Sequence, residues 1–241
     1  MTLNRPDILN AIGAEMTEHL IEQMQIADGE PSTGCIVLTG AGRAFCSGGD
    51  VNNMGAGPAV ERVLHRDWHL LEALLETEKP IIAMVNGPAV GLGATLAMSC
   101  DLTYMAEEAR IGDTHVNLGV LAGDGAIIPM LLNAGPARTK DFVLRGKLIS
   151  GKEAAQSGIV TRALPAGDLA STTYEIAREI ASHPAYAVRA TKILLNRHHR
   201  WAASELLEAS LAFEFHSMQI PDYSEAVERF RARRSAQRSK R

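Results

Sequence analysis

Apolar residues fall into two alternating rhythms along this 241-residue chain. Three short runs, Cys35-Ile36-Val37-Leu38-Thr39, Ile81-Ile82-Ala83-Met84-Val85 and Asp101 to Met105, have the length and β-branched content of buried strands. Between them the spacing lengthens to that of a helix face. Ile12, Met16, Leu20 and Met24 stand four apart, predicting a helix over Ala11 to Ala27. A row through Val63, Trp68, Leu71 and Leu75 predicts another over Glu61 to Thr77. Residues 2–5 read as the tail of a strand, and Arg110-Ile111-Gly112 follows a charged turn.

Strands that alternate with longer helices argue for βαβ units and a largely parallel sheet. From Ala126 onward the pattern is mostly helical, apart from a strand expected at Ile159-Val160-Thr161. Ser150 and Glu153 form the signature of a capping box. His183-Pro184 separates two helices, and Pro221 opens a final amphipathic one. The chain thus divides into an α/β core over 1–185 and a helical C-terminal region over 186–241.

Composition narrows the function classes. The chain is 46% hydrophobic and 22% charged, as soluble globular domains are, and its net charge of −4 offers nucleic acid no overall electrostatic footprint. The longest uncharged stretch, Pro80 to Cys100, is interrupted by glycines, two prolines and Asn86, which argues against a membrane span. No signal peptide is visible, and Cys35, Cys46 and Cys100 lack metal-ligand spacing. Reduced thiols in a cytoplasmic protein are the expectation. A basic tail from Arg229 to Arg241 reads as a solvated end, with a contact from Arg233, Arg234 or a neighbour to a ligand phosphate as the sharper alternative.

Two glycine-bearing turns carry the chemistry. Phe45-Cys46-Ser47-Gly48-Gly49-Asp50 and Gly87-Pro88-Ala89-Val90-Gly91-Leu92-Gly93 each end an apolar run, and the second opens into Ala94-Thr95-Leu96-Ala97-Met98. That layout suits two backbone N–H groups converging on one carbonyl oxygen, the second at the positive end of a helix. Other patterns mislead. Gly146 to Lys152 imitates a P-loop, but Glu153 stands where a hydroxyl must bind magnesium. Neither glycine cluster fits G-x-G-x-x-G, no G-x-S-x-G elbow exists, and His198-His199 between two arginines reads as a polar helix end.

Taken with their flanks, the two turns resemble those of the crotonase superfamily, the enoyl-CoA hydratase/isomerase fold. Thr2 to Ala11 resembles its opening, Gly42 to Asp50 its first oxyanion-hole segment, and Lys79-Pro80 through Gly93 its second. Ser150 to Ala155 and Gly158-Ile159-Val160 resemble the start of its helical extension. The resemblance implies a spiral of ββα units with a helical C-terminal extension, assembled as homotrimers or homohexamers through the C-terminal helices. It implies an acyl-CoA substrate whose thioester oxygen the N–H groups of Gly49 and Leu92 would hold. Coenzyme A enters as part of the substrate, with no separate cofactor and no metal. Residues around Ile8, Ala44, Asp50 and Val51 would line the adenine and pantetheine path.

The chain departs from the family where hydratases keep two glutamates, because Thr95 and His115 occupy those positions. Threonine cannot serve as a base near neutral pH, so Thr95 is expected to contact substrate or its own backbone turn. Asp124, inside Ala122-Gly123-Asp124-Gly125-Ala126, needs a partner in so apolar a loop and is expected to orient His115 or to act as the base. Asp113 competes with it, sharing a face with His115 in extended chain. The His115–Asp124 pairing partly resembles superfamily members that hydrolyse carbon–carbon bonds. Three readings follow: an enoyl-CoA hydratase or isomerase working through an enolate, a β-diketone hydrolase, and a CoA-binding protein without catalysis.

Overall fold

The computed structural model describes residues 1–50 and 68–238, except the side chains at 207 and from 233 onward. Val51, Val63 and the side chains of Arg233 and Arg234 therefore lie outside the described residues. The elements are β1 (Thr2–Leu3), a 3₁₀ turn (Pro6–Ile8), α1 (Ala14–Gly29), β2 (Ile36–Gly40), α2 (helical over 68–76), β3 (Ile81–Val85), β4 (Ala89–Val90) and α3 (Leu92–Met98). They continue as β5 (Leu102–Ala106), β6 (Arg110–Gly112), a 3₁₀ turn (His115–Leu118), α4 (Ile127–Arg145), β7 (Ile149–Ser150), α5 (Gly151–Gln156) and β8 (Arg162–Leu164). Three helices close the chain: α6 (Ala166–Ser182), α7 (Ala185–Ser217) and α8 (Pro221–Arg238).

One sheet runs β1-β2-β3-β5-β8 with every pairing parallel. β3 lies at its centre, and all five of its residues are buried, as its unbroken apolar run requires. A smaller sheet, β4-β6-β7, pairs β4 with β6 in parallel and β6 with β7 antiparallel. Isolated bridges between Ile12 and Gly49 and between Cys46 and Ala89 carry the first glycine turn onto that second layer. The stack of short parallel steps is the spiral expected from the sequence.

Buried polar groups lock the layers together. Lys79, 1% exposed, donates from Nζ to the carbonyls of Ala27 (2.8 Å) and Glu30 at the end of α1. Lys192 of α7 pairs with Asp101 at 2.7 Å and donates to the Lys79 carbonyl at 2.9 Å, tying the C-terminal region to the entry of β3. The capping box is present, with Glu153 N–H donating to Ser150 Oγ and Ser150 N–H to Glu153 Oε2.

Some local expectations need correction. The last strand is Arg162–Leu164, three residues beyond the apolar Ile159-Val160 pair, which is buried in the turn after Gly158 (φ 77°). α4 breaks at Gly135 (φ 77°, ψ 167°), just before Pro136, where glycine alone accepts the backbone. Among the described side chains of α8 only Ala226 is buried, so its apolar face there is narrower than expected.

Candidate active site

The two glycine turns are stitched together before any side chain of the site is placed. Phe45 and Cys46 both donate backbone N–H groups to the Pro88 carbonyl at 3.1 Å, and Val90 N–H donates to Cys46 at 2.9 Å. The fit is tight: a Cβ on Gly93 would come within 2.3 Å of the Cys46 carbonyl oxygen, and one on Gly87 within 2.2 Å of the Arg43 oxygen. Asn86 bridges the ends of β2 and β3, accepting from Gly40 N–H (3.2 Å) and donating to the Gly42 carbonyl (3.0 Å). Asn10 does the same from below. It is fully buried with φ 56°, and its Nδ2 lies 2.9 Å from the carbonyl oxygens of Ala41 and Ala44 and 3.2 Å from that of Phe45.

This scaffold aims the two expected donors. Gly48 accepts from Ile12 N–H and Asp50 donates to the Ile12 carbonyl, so the N–H of Gly49 between them points away from that pairing. Leu92 opens α3, where the N–H of a first helical residue has no acceptor within its own helix. Neither N–H has an acceptor among the described residues. A Cβ on Gly48 would sit 3.8 Å from the Leu92 nitrogen, a measure of how closely the turns meet. Both turns line one cavity of about 670 Å³ together with His115, Leu118 and Val120, and α8 closes it with Tyr223, Ala226, Arg229, Phe230 and Arg231.

His115 stands beside the second turn. A Cβ on Gly91 would meet its Cε1 at 3.6 Å and its Nε2 at 3.9 Å. Its Nδ1 lies 3.0 and 3.1 Å from the two oxygens of Asp113, and its backbone N–H also donates to Asp113 Oδ1 at 3.1 Å. The carboxylate is acceptor only, so the proton sits on Nδ1 and Nε2 turns toward the reaction space. Asp124 Oδ2 faces that nitrogen at 3.9 Å. Asp124 is held by Thr95 Oγ1, which donates to Oδ2 at 3.1 Å, and by Ala126 N–H, which donates to Oδ1 at 3.2 Å.

The electrostatics follow from this crowding. Burial alone would discharge the imidazole, but the carboxylates of Asp124 and Asp113, the hydrogen bond to Asp113 and the charge of Glu214 outweigh it and push His115 up to about 10. Burial raises the Asp124 carboxyl above its usual range; the imidazolium pulls it back down, and Asp113 adds to the rise. The arrangement is an imidazole that faces one carboxylate at 3.9 Å and is oriented by hydrogen bonds to a second. One ligand atom from each of Asp113, His115 and Asp124 lies within 4.8 Å of the others, as in some metal sites. Hydrogen bonds from His115, Thr95 and Ala126 already engage the oxygens of Asp113 and Asp124.

The remaining sequence candidates fall elsewhere. Thr95 is fully buried beneath Asp124 and does not line the cavity; its hydroxyl also lies 3.3 Å from the Gly91 carbonyl oxygen of its own helix turn. Ile8, Ala44 and Asp50 cluster on the flank of the first turn, where Ser47 Oγ donates to the Ile8 carbonyl at 3.3 Å and Arg5 pairs with Asp50 at 3.6 Å. Two buried residues were not anticipated, Asn10 and Glu214 of α7. The sequence does mark Glu214, an acid set inside the apolar run Leu211-Ala212-Phe213-Glu214-Phe215. Among the described residues no helix is long and apolar enough to cross a membrane.

The sequence model of the family described as Enoyl-CoA hydratase/isomerase matches residues 1–240. The chain belongs to the enoyl-CoA hydratase/isomerase family. It is 34% identical, over 98% of its length and 92% of the relative's, to the Mycobacterium bovis (strain ATCC BAA-935 / AF2122/97) protein named "Probable enoyl-CoA hydratase echA8". It is 31% identical, over 98% of its length and 93% of the relative's, to the 1,2-epoxyphenylacetyl-CoA isomerase of Escherichia coli (strain K12). Among solved structures, an enoyl-CoA hydratase/isomerase from Mycobacterium paratuberculosis superposes with a TM-score of 0.87 at 31% identity, covering 95% of this chain and 92% of that one. The chain is thus an enoyl-CoA hydratase/isomerase-family enzyme with the crotonase fold.

Proposed function

We propose that the enzyme acts on an acyl-CoA thioester through an enolate, with Gly49 and Leu92 holding the thioester oxygen and His115 and Asp124 moving the proton. The observation that carries this reading is the meeting of three things in one cavity: two backbone N–H groups without acceptors among the described residues and an imidazole oriented by Asp113. Abstracting a proton next to a thioester puts negative charge on its oxygen, and two preorganised donors typically stabilise such charge by several kcal/mol.

Double-bond isomerisation suits the proton arrangement best. A base takes a proton from C2 of a 3-enoyl thioester, charge collects on the thioester oxygen, and the proton returns at C4 as the double bond moves to C2–C3. One base that takes and returns a single proton suffices, and the Asp124 carboxylate, 3.9 Å from His115 Nε2, can be that base. The isomerase name of the Escherichia coli relative agrees with this. Hydration of a 2-enoyl thioester, with Asp124 accepting the proton of water and His115 delivering one to C2, is the second reading, favoured by the hydratase name of the Mycobacterium bovis relative. Carbon–carbon hydrolysis by the His115–Asp124 pair would likewise need Asp124 to accept water's proton, since an imidazolium has no lone pair to do so.

Arg229 and Arg231, at the same cavity, suit the phosphates of coenzyme A. Exposed Leu194, Leu195, Trp201 and Phe213 on α7 suit a contact between copies, in keeping with a homotrimer or homohexamer. Three free cysteines suit a reducing compartment, and the location we propose is the cytoplasm.

The test follows the conjugated thioester absorbance with 3-enoyl-CoA and crotonyl-CoA substrates of increasing chain length. A gain of signal with the former marks the isomerase, a loss with the latter the hydratase, and Asp124→Asn abolishes either. Tight acyl-CoA binding by calorimetry without any product would replace this reading with that of a non-catalytic CoA-binding protein.

A further inference from the structure

Glu214 inverts the usual logic of a helix surface. It is 2% exposed, whereas its neighbour Phe213 is 65% exposed. Helices bury phenylalanine and expose glutamate, because a desolvated carboxylate is unfavourable unless its charge is used. The opposite loop makes room for it. A Cβ on Gly123 would come within 2.5 Å of Glu214 Oε2 and 2.6 Å of the Ser210 carbonyl oxygen, so α7 lies directly on the residue preceding Asp124. One turn further along α7, Ser217 Oγ accepts the N–H of Leu121 at 3.2 Å. Two residues of one helix thus grip the loop that presents Asp124.

We propose that Glu214 is a positioning residue of the reaction centre, its carboxylate fixing the Asp124 loop and holding the proton on His115. The inference rests on the acid–base reading of His115 and Asp124. The charged groups that act on His115 are Asp113 before its own turn, Asp124 before α4 and Glu214 on α7, while Tyr223, Arg229 and Arg231 of α8 line the same cavity. Three carboxyl groups around one imidazole make a site whose proton the third acid helps retain, because each negative neighbour favours the imidazolium. Glu214 acts on the imidazole through its field and on Asp124 through the backbone of Gly123, so it touches no reacting atom.

The experiment follows the ring signals of His115 by NMR against pH in the full-length protein, wild type and Glu214→Gln, without substrate. The expected result is a titration of His115 in E214Q lower by about one pH unit, with Glu214→Asp, which keeps the charge, restoring most of the difference. Where a substrate is turned over, the alkaline limb of kcat moves down with it. A His115 titration unchanged in E214Q overturns the proposal, as does loss of kcat without movement of the pH profile. If E214Q does not fold, Glu214→Leu gives the same readout without a buried polar head, and failure of both to fold assigns Glu214 to the scaffold alone and also overturns it. The NMR readout needs no turnover, so a missing acyl-CoA activity refutes the proposed reaction and leaves this measurement to decide on Glu214.

Discussion

Gly91 and His115 are in van der Waals reach across the second turn: the Cβ that Gly91 lacks would lie 3.6 Å from His115 Cε1. The backbone at Gly91 (φ 54°, ψ −125°) belongs to a region that glycine alone enters readily. Gly91→Ala should therefore cost about 1–3 kcal/mol in strain and turn the Leu92 N–H away from the oxyanion position. The checks are urea unfolding and kcat, with a loss of about 100-fold expected for so small a misplacement. Full activity in this variant would show that Leu92 is not an oxyanion donor.

Asp113 orients the imidazole by accepting from its Nδ1 at 3.0 Å. Asp113→Asn keeps the shape but loses the charge that favours the imidazolium and offers an amide that donates as readily as it accepts, so the ring orientation is no longer enforced. Turnover should fall by about 10²- to 10⁴-fold. The His115 titration followed by NMR should move to lower pH, since Asp113 is one of the groups that raise it.

Thr95→Val isolates the hydroxyl that donates to Asp124 at 3.1 Å. That bond favours the ionised carboxylate, so its loss should raise the Asp124 carboxyl further above its usual range. The acid limb of the pH–rate profile should then shift to higher pH, with the maximal rate affected less than in Asp124→Asn.

Linkage predicts how stability responds to pH. His115 titrates near 10 in the folded chain, against an ordinary value of 6.5 when unfolded. Between those values the folded state binds more protons, so stability must fall as pH rises. Its contribution is complete below pH 6.5 and lost as pH passes through about 10. Asp124, raised in the folded state, adds a penalty of the same sign. Urea unfolding at a series of pH values should show wild type losing more stability across this window than His115→Asn.

Asn10→Ala removes the amide that faces the carbonyl oxygens of Ala41, Ala44 and Phe45, at a left-handed position that asparagine tolerates and alanine does not. A cost of about 2–4 kcal/mol is expected in chemical unfolding, carried by the segment that ends in Gly49.

Much of this architecture is legible in the chain, and the exceptions have physical causes. β3 coincides with its apolar run because a strand buried on both faces has no polar residue to blur its ends. β8 is displaced by three residues because only Leu164 of its three is buried, while the apolar signal belongs to the preceding turn. The two glycine turns are legible because backbone geometry demands glycine. The partner of His115 is not, because choosing between Asp113 and Asp124 requires the third dimension, where Asp113 takes Nδ1 and Asp124 faces Nε2. Glu214 is separated from His115 by most of the helical region, and no local spacing links them.

The proposed oxyanion donors belong to the main chain, and no substitution can delete a peptide N–H except proline. On that reading the chain keeps the part of its chemistry that stabilises charge in a form insulated from drift, and leaves proton traffic to a few replaceable side chains. Exchanging the residues at 95, 115 and 124 would then re-specify the reaction while the thioester stayed seated. A scaffold so divided can wander among related reactions without passing through a state that has lost its grip on the substrate.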